Sequence, residues 1–109
     1  MIIAFSTKEL RSLCECRAKA ERKFGITVAK ELRARLADLL EAESVCELPA
    51  GQPREIEGTP HNNYSVTLCD GYRMVFCVNH SKVPVLKTGR VDWEKVSRIK
   101  VQKIEICND

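Results

Sequence analysis

This chain of 109 residues predicts an α+β fold, in which an N-terminal strand and a two-helix hairpin pack on a small antiparallel sheet. Three patterns carry that expectation. They are two helical periods between residues 7 and 41, a hairpin in YSVTLCDGYRMVFCV (64–78), and strand alternation from Ile99 to Ile106. The length suits one core and is too short for two, so residues 1–109 are read as a single domain.

Met1–Phe5 has the β propensity of a short strand. Ser6 followed by Glu9 forms a capping box, which starts a helix at Thr7 that runs to Phe24 and ends at Gly25. Its apolar stripe is Leu10, Leu13, Cys14 and Phe24, interrupted by Arg17 and Glu21 at a pairing distance of four residues. Thr27 caps the second helix, where Val28, Ala29, Leu32, Leu36, Leu39 and Leu40 fall within about 120° of the wheel. After a loop at Leu48-Pro49-Ala50-Gly51, Pro53–Glu57 can form a strand that leads into the turn at 58–63. Residues 79–92 read as a surface loop. Asp92 then caps a single turn in which Trp93 packs inward. In the last strand the apolar phase shifts across Gln102-Lys103, which predicts a β-bulge.

The hairpin fixes one arginine in a telling place. Tyr64, Val66, Leu68, Tyr72, Met74 and Phe76 share one face only if the loop is Cys69-Asp70-Gly71, with Gly71 at positive φ. The opposite face then carries Ser65, Thr67, Arg73, Val75 and Cys77. A mid-strand arginine can pair with a carboxylate on the sheet, point to water, or receive a phosphate on a working face.

Composition narrows the classes. No apolar run approaches a membrane span, and MIIAFSTKEL lacks the pattern of a signal peptide, so a cytoplasmic protein with no membrane partner is expected. The six cysteines (14, 16, 46, 69, 77, 107) should then be reduced. They lack ligand spacing, so no metal and no cofactor is expected. The net charge of +3 permits a polyanionic partner without requiring one. Nine of the eighteen basic residues lie in the two helices, among them Lys19, Arg22, Lys23, Lys30 and Arg33. Acids such as Glu15, Glu21 and Glu31 balance part of that face, and the excess suits a phosphate backbone.

The order of these features resembles the RelE superfamily of bacterial toxins, and more closely its HigB-like, plasmid-maintenance "killer" branch. The residues that carry the resemblance are a leucine-rich helix, Leu48-Pro49-Ala50-Gly51, Tyr64-Ser65-Val66, YRMVF (Tyr72–Phe76), Asp92, Trp93 and Val96, and a final strand. It covers nearly the whole chain. The resemblance implies a RelE-like microbial ribonuclease fold and the toxin component of a type II toxin–antitoxin system. It further implies a ribosome-dependent, metal-independent mRNA endoribonuclease that inhibits translation. The implied partners are the ribosome and mRNA, and a cognate helix-turn-helix antitoxin (HigA-like) in a possible heterotetramer.

In such an enzyme the RNA 2′-hydroxyl attacks the adjacent phosphate, so charge stabilisation and proton transfer are needed. By resemblance Arg73 is the sheet arginine that holds the phosphate. The chain departs from the family pattern in its tail, Ile106-Cys107-Asn108-Asp109, which has neither tyrosine nor histidine. Glu57 stands where a basic residue is often found, and Arg54 stands near a family histidine. The candidate catalytic set is therefore Arg73, Arg54, His61, Asn108 and Asp109, and the RNA-binding set is the five helical cations named above. His61 enters as a substitute acid or base because histidine titrates near neutrality. The alternative is a protein of the same fold with little or no nuclease activity, which blocks a target as gyrase inhibitors do or joins its antitoxin in a repressor complex.

Overall fold

A computed structural model describes residues 1–106. The elements are β1 (Ile2–Phe5), α1 (Lys8–Glu15), α2 (Arg17–Phe24), α3 (Ile26–Glu41), β2 (Arg54–Ile56), β3 (Asn63–Thr67), β4 (Tyr72–Val78) and β5 (Arg98–Ile106). Single 3₁₀ turns occur at Val45–Glu47 and Trp93–Lys95. The strands form one sheet in the order β1-β5-β4-β3-β2. Strands β2 to β5 are antiparallel neighbours as expected, whereas β1 joins β5 in parallel. Parallel pairing needs a long connection, and everything from α1 to β4 supplies it. The architecture is α+β, with the helical hairpin on one face of the sheet.

That face holds the core. Val28, Leu32, Leu36 and Leu39 of α3 and Leu10 of α1 pack on Val66, Leu68, Met74, Phe76, Ile99 and Val101. These are the apolar periods read from the sequence, and they meet because each lies on one side of its own element. Leu40 is a correction. It is 60% exposed, because it sits about 70° from the centre of the stripe, while Leu39 fills the contact. Leu36→Ala should therefore cost about 2–5 kcal/mol, and Leu40→Ala less than about 0.5 kcal/mol. Urea melts of the two variants check this, and equal losses would mean the helix faces are misassigned.

The first helix is also corrected. Thr7, not Ser6, is its cap: the Thr7 hydroxyl accepts from the Leu10 backbone N–H at 3.0 Å, while the Ser6 hydroxyl donates to the Gln102 carbonyl. The helix breaks at Cys16, whose backbone is extended. A straight helix would set Ala20 and Phe24 about 80° away from Leu10 and Cys14. The break re-aims α2, so that Ala20 is buried and Phe24 meets Tyr72 edge-on at 5.3 Å. The Arg17–Glu21 pair forms at 2.8 Å. The second helix starts at Ile26 with Gly25 as its cap residue, two positions earlier than a Thr27 cap would allow.

The hairpin has the three-residue loop. The Leu68 backbone N–H donates to the Tyr72 carbonyl and the Tyr72 N–H to the Cys69 carbonyl, with Asp70 and Gly71 both at positive φ. The bulge falls where the phase shift put it: Val75 pairs with Lys103 but Phe76 with Val101, which leaves Gln102 as the extra residue. In the loop before β2, Gly51 has a φ of 89° and its carbonyl accepts from the Thr67 N–H. A Cβ there would collide with Val66 Cγ1, so this loop can lie across β3 only as glycine. The turn at Val45–Glu47 was not expected, although Ser44 and Glu47 form a complete capping box there.

The segment at Asp92–Val96 folds with Trp93 inside, 7% exposed, as expected. Its cap differs. The Asp92 side chain makes no cap bond, and the turn closes through the Asp92 carbonyl and the Lys95 N–H at 3.0 Å. The Trp93 ring packs against Tyr64 at 4.8 Å, and its Nε1–H donates to Glu55 Oε2 at 3.0 Å. The indole is thereby buried without an orphaned donor.

Candidate functional site

No described helix covers the sheet's second face, the open face, and strand alternation decides what stands on it. Arg54 is opposite Ser65 across β2 and β3, and Ser65 is opposite Val75, which is opposite Lys103. One row along, Thr67 is opposite Arg73, and Arg73 is opposite Glu105. Lys100 stands beyond, opposite Cys77. Arg98, two residues before Lys100, stands on the same side. Among the described strand residues five cations therefore share this face with one carboxylate. The floor between them is dry, with Val75 at 0% and Ser65 at 2% exposure. Arg54 lies two strands from Arg73, roughly 10 Å across the sheet, within the combined reach of two arginine side chains.

Arg73 takes the carboxylate option. Its Nε donates to Glu105 Oε2 at 2.7 Å and its Nη2 approaches the same oxygen at 2.6 Å. Lys103 Nζ lies 3.2 Å from the other oxygen, Oε1. The hydrogen bond from Arg73 holds the Glu105 carboxyl below its ordinary value. Burial opposes that shift, and Lys103 adds to it. The folded value therefore lies below the unfolded one, so the stabilisation is present at neutral pH and fades as pH falls through the folded value. Glu105→Gln should be less stable than wild type at neutral pH, and the gap should close on acidification. Thermal melts at about pH 7 and about pH 3 bracket the carboxylate range, and a gap independent of pH would mean the ion pair contributes nothing.

The other predicted residues fall in different places. His61 does not stand on the open face. With Glu55, Pro60, Asn62, Gly89, Arg90 and Val91 it lines a pocket of about 140 Å³. Glu55 is opposite Tyr64, a core-side residue, so its head lies on the opposite side of the sheet from Arg54. Arg90 closes on Glu55 at 2.7 Å and ties the 79–92 loop to β2. His80 is a structural tie: its Nε2 accepts from the backbone N–H groups of Ser97 and Arg98 at 3.0 and 3.2 Å. Asn108 and Asp109 lie outside the described residues.

The helical cations divide. Lys19, Arg22 and Lys23 line a groove of about 370 Å³ with Glu9, Ser12 and Leu13, and Lys19 Nζ donates to the Ser12 hydroxyl at 2.7 Å. Lys23 also lines an adjoining groove with Phe24, Gln102, Lys103 and Ile104. The helical grooves thus run up to Lys103, a residue of the open face. Lys30 and Arg33 of α3 lie outside both grooves.

The described cysteines are all free thiols. Burial, helped by Glu15, pushes Cys14 up to about 11, and burial raises Cys77, so neither favours the reactive thiolate. Among the described residues no three His, Cys, Asp or Glu side chains converge as metal ligands. No helix there is long and apolar enough to cross a membrane.

Sequence reasoning missed Glu105 and Lys103. The signal was present: Glu105 stands between Ile104 and Ile106, so alternation alone puts it on the face of Arg73. What was lacking was the β4–β5 register. No family model, no curated protein and no solved structure matches the chain.

Proposed function

We propose that this protein is the toxin of a type II toxin–antitoxin system, an mRNA endoribonuclease that acts on ribosome-bound message in the cytoplasm. The observation that carries this reading is the open face. Arg73, Arg54, Lys100 and Lys103 surround a dry floor and, among the described strand residues, one carboxylate. A scissile phosphate placed there meets cations whose positions are set by strand backbones, so little reorganisation is needed as charge builds on its oxygens. The planar guanidinium of Arg73 suits paired phosphate oxygens. The groove of Lys19, Arg22 and Lys23 gives the flanking polyanion a surface that joins the face at Lys103. The resemblance to HigB-like toxins supplies the substrate, the ribosome and the HigA-like antitoxin.

A second reading keeps the fold and the antitoxin but not the nuclease activity. It is favoured by the Arg73–Glu105 pair itself, since a cross-strand ion pair also serves as plain sheet structure. Expression in a bacterium with mapping of mRNA 5′ ends separates the two. The nuclease produces cuts inside translated codons together with growth arrest. Growth arrest with intact mRNA would replace it with a target-blocking protein, and neither effect would leave an antitoxin-binding co-repressor.

A further inference from the structure

We propose that Glu105 is the general base of the cleavage reaction, an assignment that rests on the endoribonuclease reading above. Among the described strand residues it is the one carboxylate on the open face, and no described histidine stands there to take the proton. Its two oxygens are used unequally. Oε2 takes both Nε and Nη2 of Arg73, whereas among the described residues Oε1 meets Lys103 Nζ at 3.2 Å. A carboxylate has about four lone-pair sites, so Oε1 keeps one for an incoming hydroxyl. Arg73 thus does two things: it holds the base in a fixed orientation and stands beside the phosphate that the base serves.

The step balances without a cofactor. Glu105 Oε1 takes the proton of the 2′-hydroxyl as the 2′-oxygen bonds to phosphorus. The bond from phosphorus to the 5′-oxygen breaks, and water protonates that oxygen. The products are a 2′,3′-cyclic phosphate and a 5′-hydroxyl, and Glu105 returns its proton to solvent. The described groups beside Glu105 are Arg73, directly opposite on β4, and Lys103 on β5, while Cys77 and Lys100 stand further along the face and Arg54 lies three strands away on β2. Both neighbours are cationic, so the carboxylate is ionised and ready at neutral pH. A base of this kind is weak but fully in its active form, and its worth lies in position.

The test is single-turnover cleavage of mRNA on programmed ribosomes by wild type, Glu105→Gln and Glu105→Ala, each first shown to fold by circular dichroism. Both variants should lose about 100-fold or more. Wild type should show an acidic limb in its pH–rate profile that Glu105→Gln lacks. Sodium formate should restore Glu105→Ala in proportion to its ionised fraction, while chloride at equal ionic strength should not, because a free carboxylate replaces a base but not a tether for Arg73. Glu105→Gln cleaving within about threefold of wild type, or Glu105→Ala dead and unrescued, would overturn the base assignment alone. Wild type that cannot cleave would overturn the nuclease reading and this assignment together.

Discussion

Arg73→Ala should abolish growth arrest and lower mRNA cleavage by about 10²–10³ while the protein stays folded. The size follows from what the side chain contributes: a fixed positive charge beside the phosphate on a face whose floor is dry, where removing one such donor typically costs that factor. The fold should survive because Arg73 stands on the face opposite Met74 and Phe76, and no core packing is lost. The variant does strand Glu105, which keeps only Lys103 as a cationic partner. Arg73→Lys is the informative companion. It retains the charge but not the planar fork that engages Glu105 through both Nε and Nη2, so it should recover only a small part of the rate. Mapped 5′ ends and thermal melts on the same preparations check both statements. Undiminished cutting by folded Arg73→Ala would remove the phosphate role from this residue.

Phe76→Ala should destabilise the protein by about 3–5 kcal/mol, the largest stability effect expected of a single substitution here. Phe76 is fully buried in β4, stacks with Tyr64 at 5.9 Å and stands beside Val101 just past the bulge. Its ring touches the layer that α3 covers, and the bulge at Gln102 fixes the register on its far side, so neither neighbour can slide in to refill the space. Whole-domain stabilities run about 5–15 kcal/mol, so this one change could remove most of the margin. Equilibrium denaturation measures it, and a loss below about 1 kcal/mol would mean the cavity collapses or the core is misplaced.

The parts legible beforehand are those set by local periodicity. The leucines of α3, the loop Cys69-Asp70-Gly71 and the bulge at Gln102 each follow from spacing within a few residues. The parts that were not legible depend on what a segment meets elsewhere. The break at Cys16 lets Phe24 reach Tyr72, 48 positions along the chain, and no count along α1 reveals that need. Thr7 wins the cap over Ser6 because the Ser6 hydroxyl is taken by the Gln102 carbonyl. For the candidate site, the face of Arg73 was legible from alternation, whereas its partner Glu105 needed the β4–β5 register. His61 was misjudged as a neighbour of the site because closeness along the chain says little about which side of a sheet a turn residue falls on. The hydrogen bonds of His80 and the link between Trp93 and Glu55 join loops to strands, and pattern alone cannot foresee such joins.

The parallel seating of β1 on β5 has a consequence for the order of assembly. Ser6 bonds Gln102 across 96 residues of chain, whereas Arg73 meets Glu105 across 32. Closing a longer loop costs more entropy and contributes to slower folding. The helical hairpin and the β3–β4 hairpin can form from neighbouring residues, but β1 has no strand to pair with until β5 is in place. Strand β5 is thus the keystone: it seats the first strand on one edge and completes the charged face on the other. A chain without β5 in place carries an unpaired apolar β1 and lacks Glu105, Lys103 and Lys100 on the charged face, so one strand serves both the fold and the candidate site.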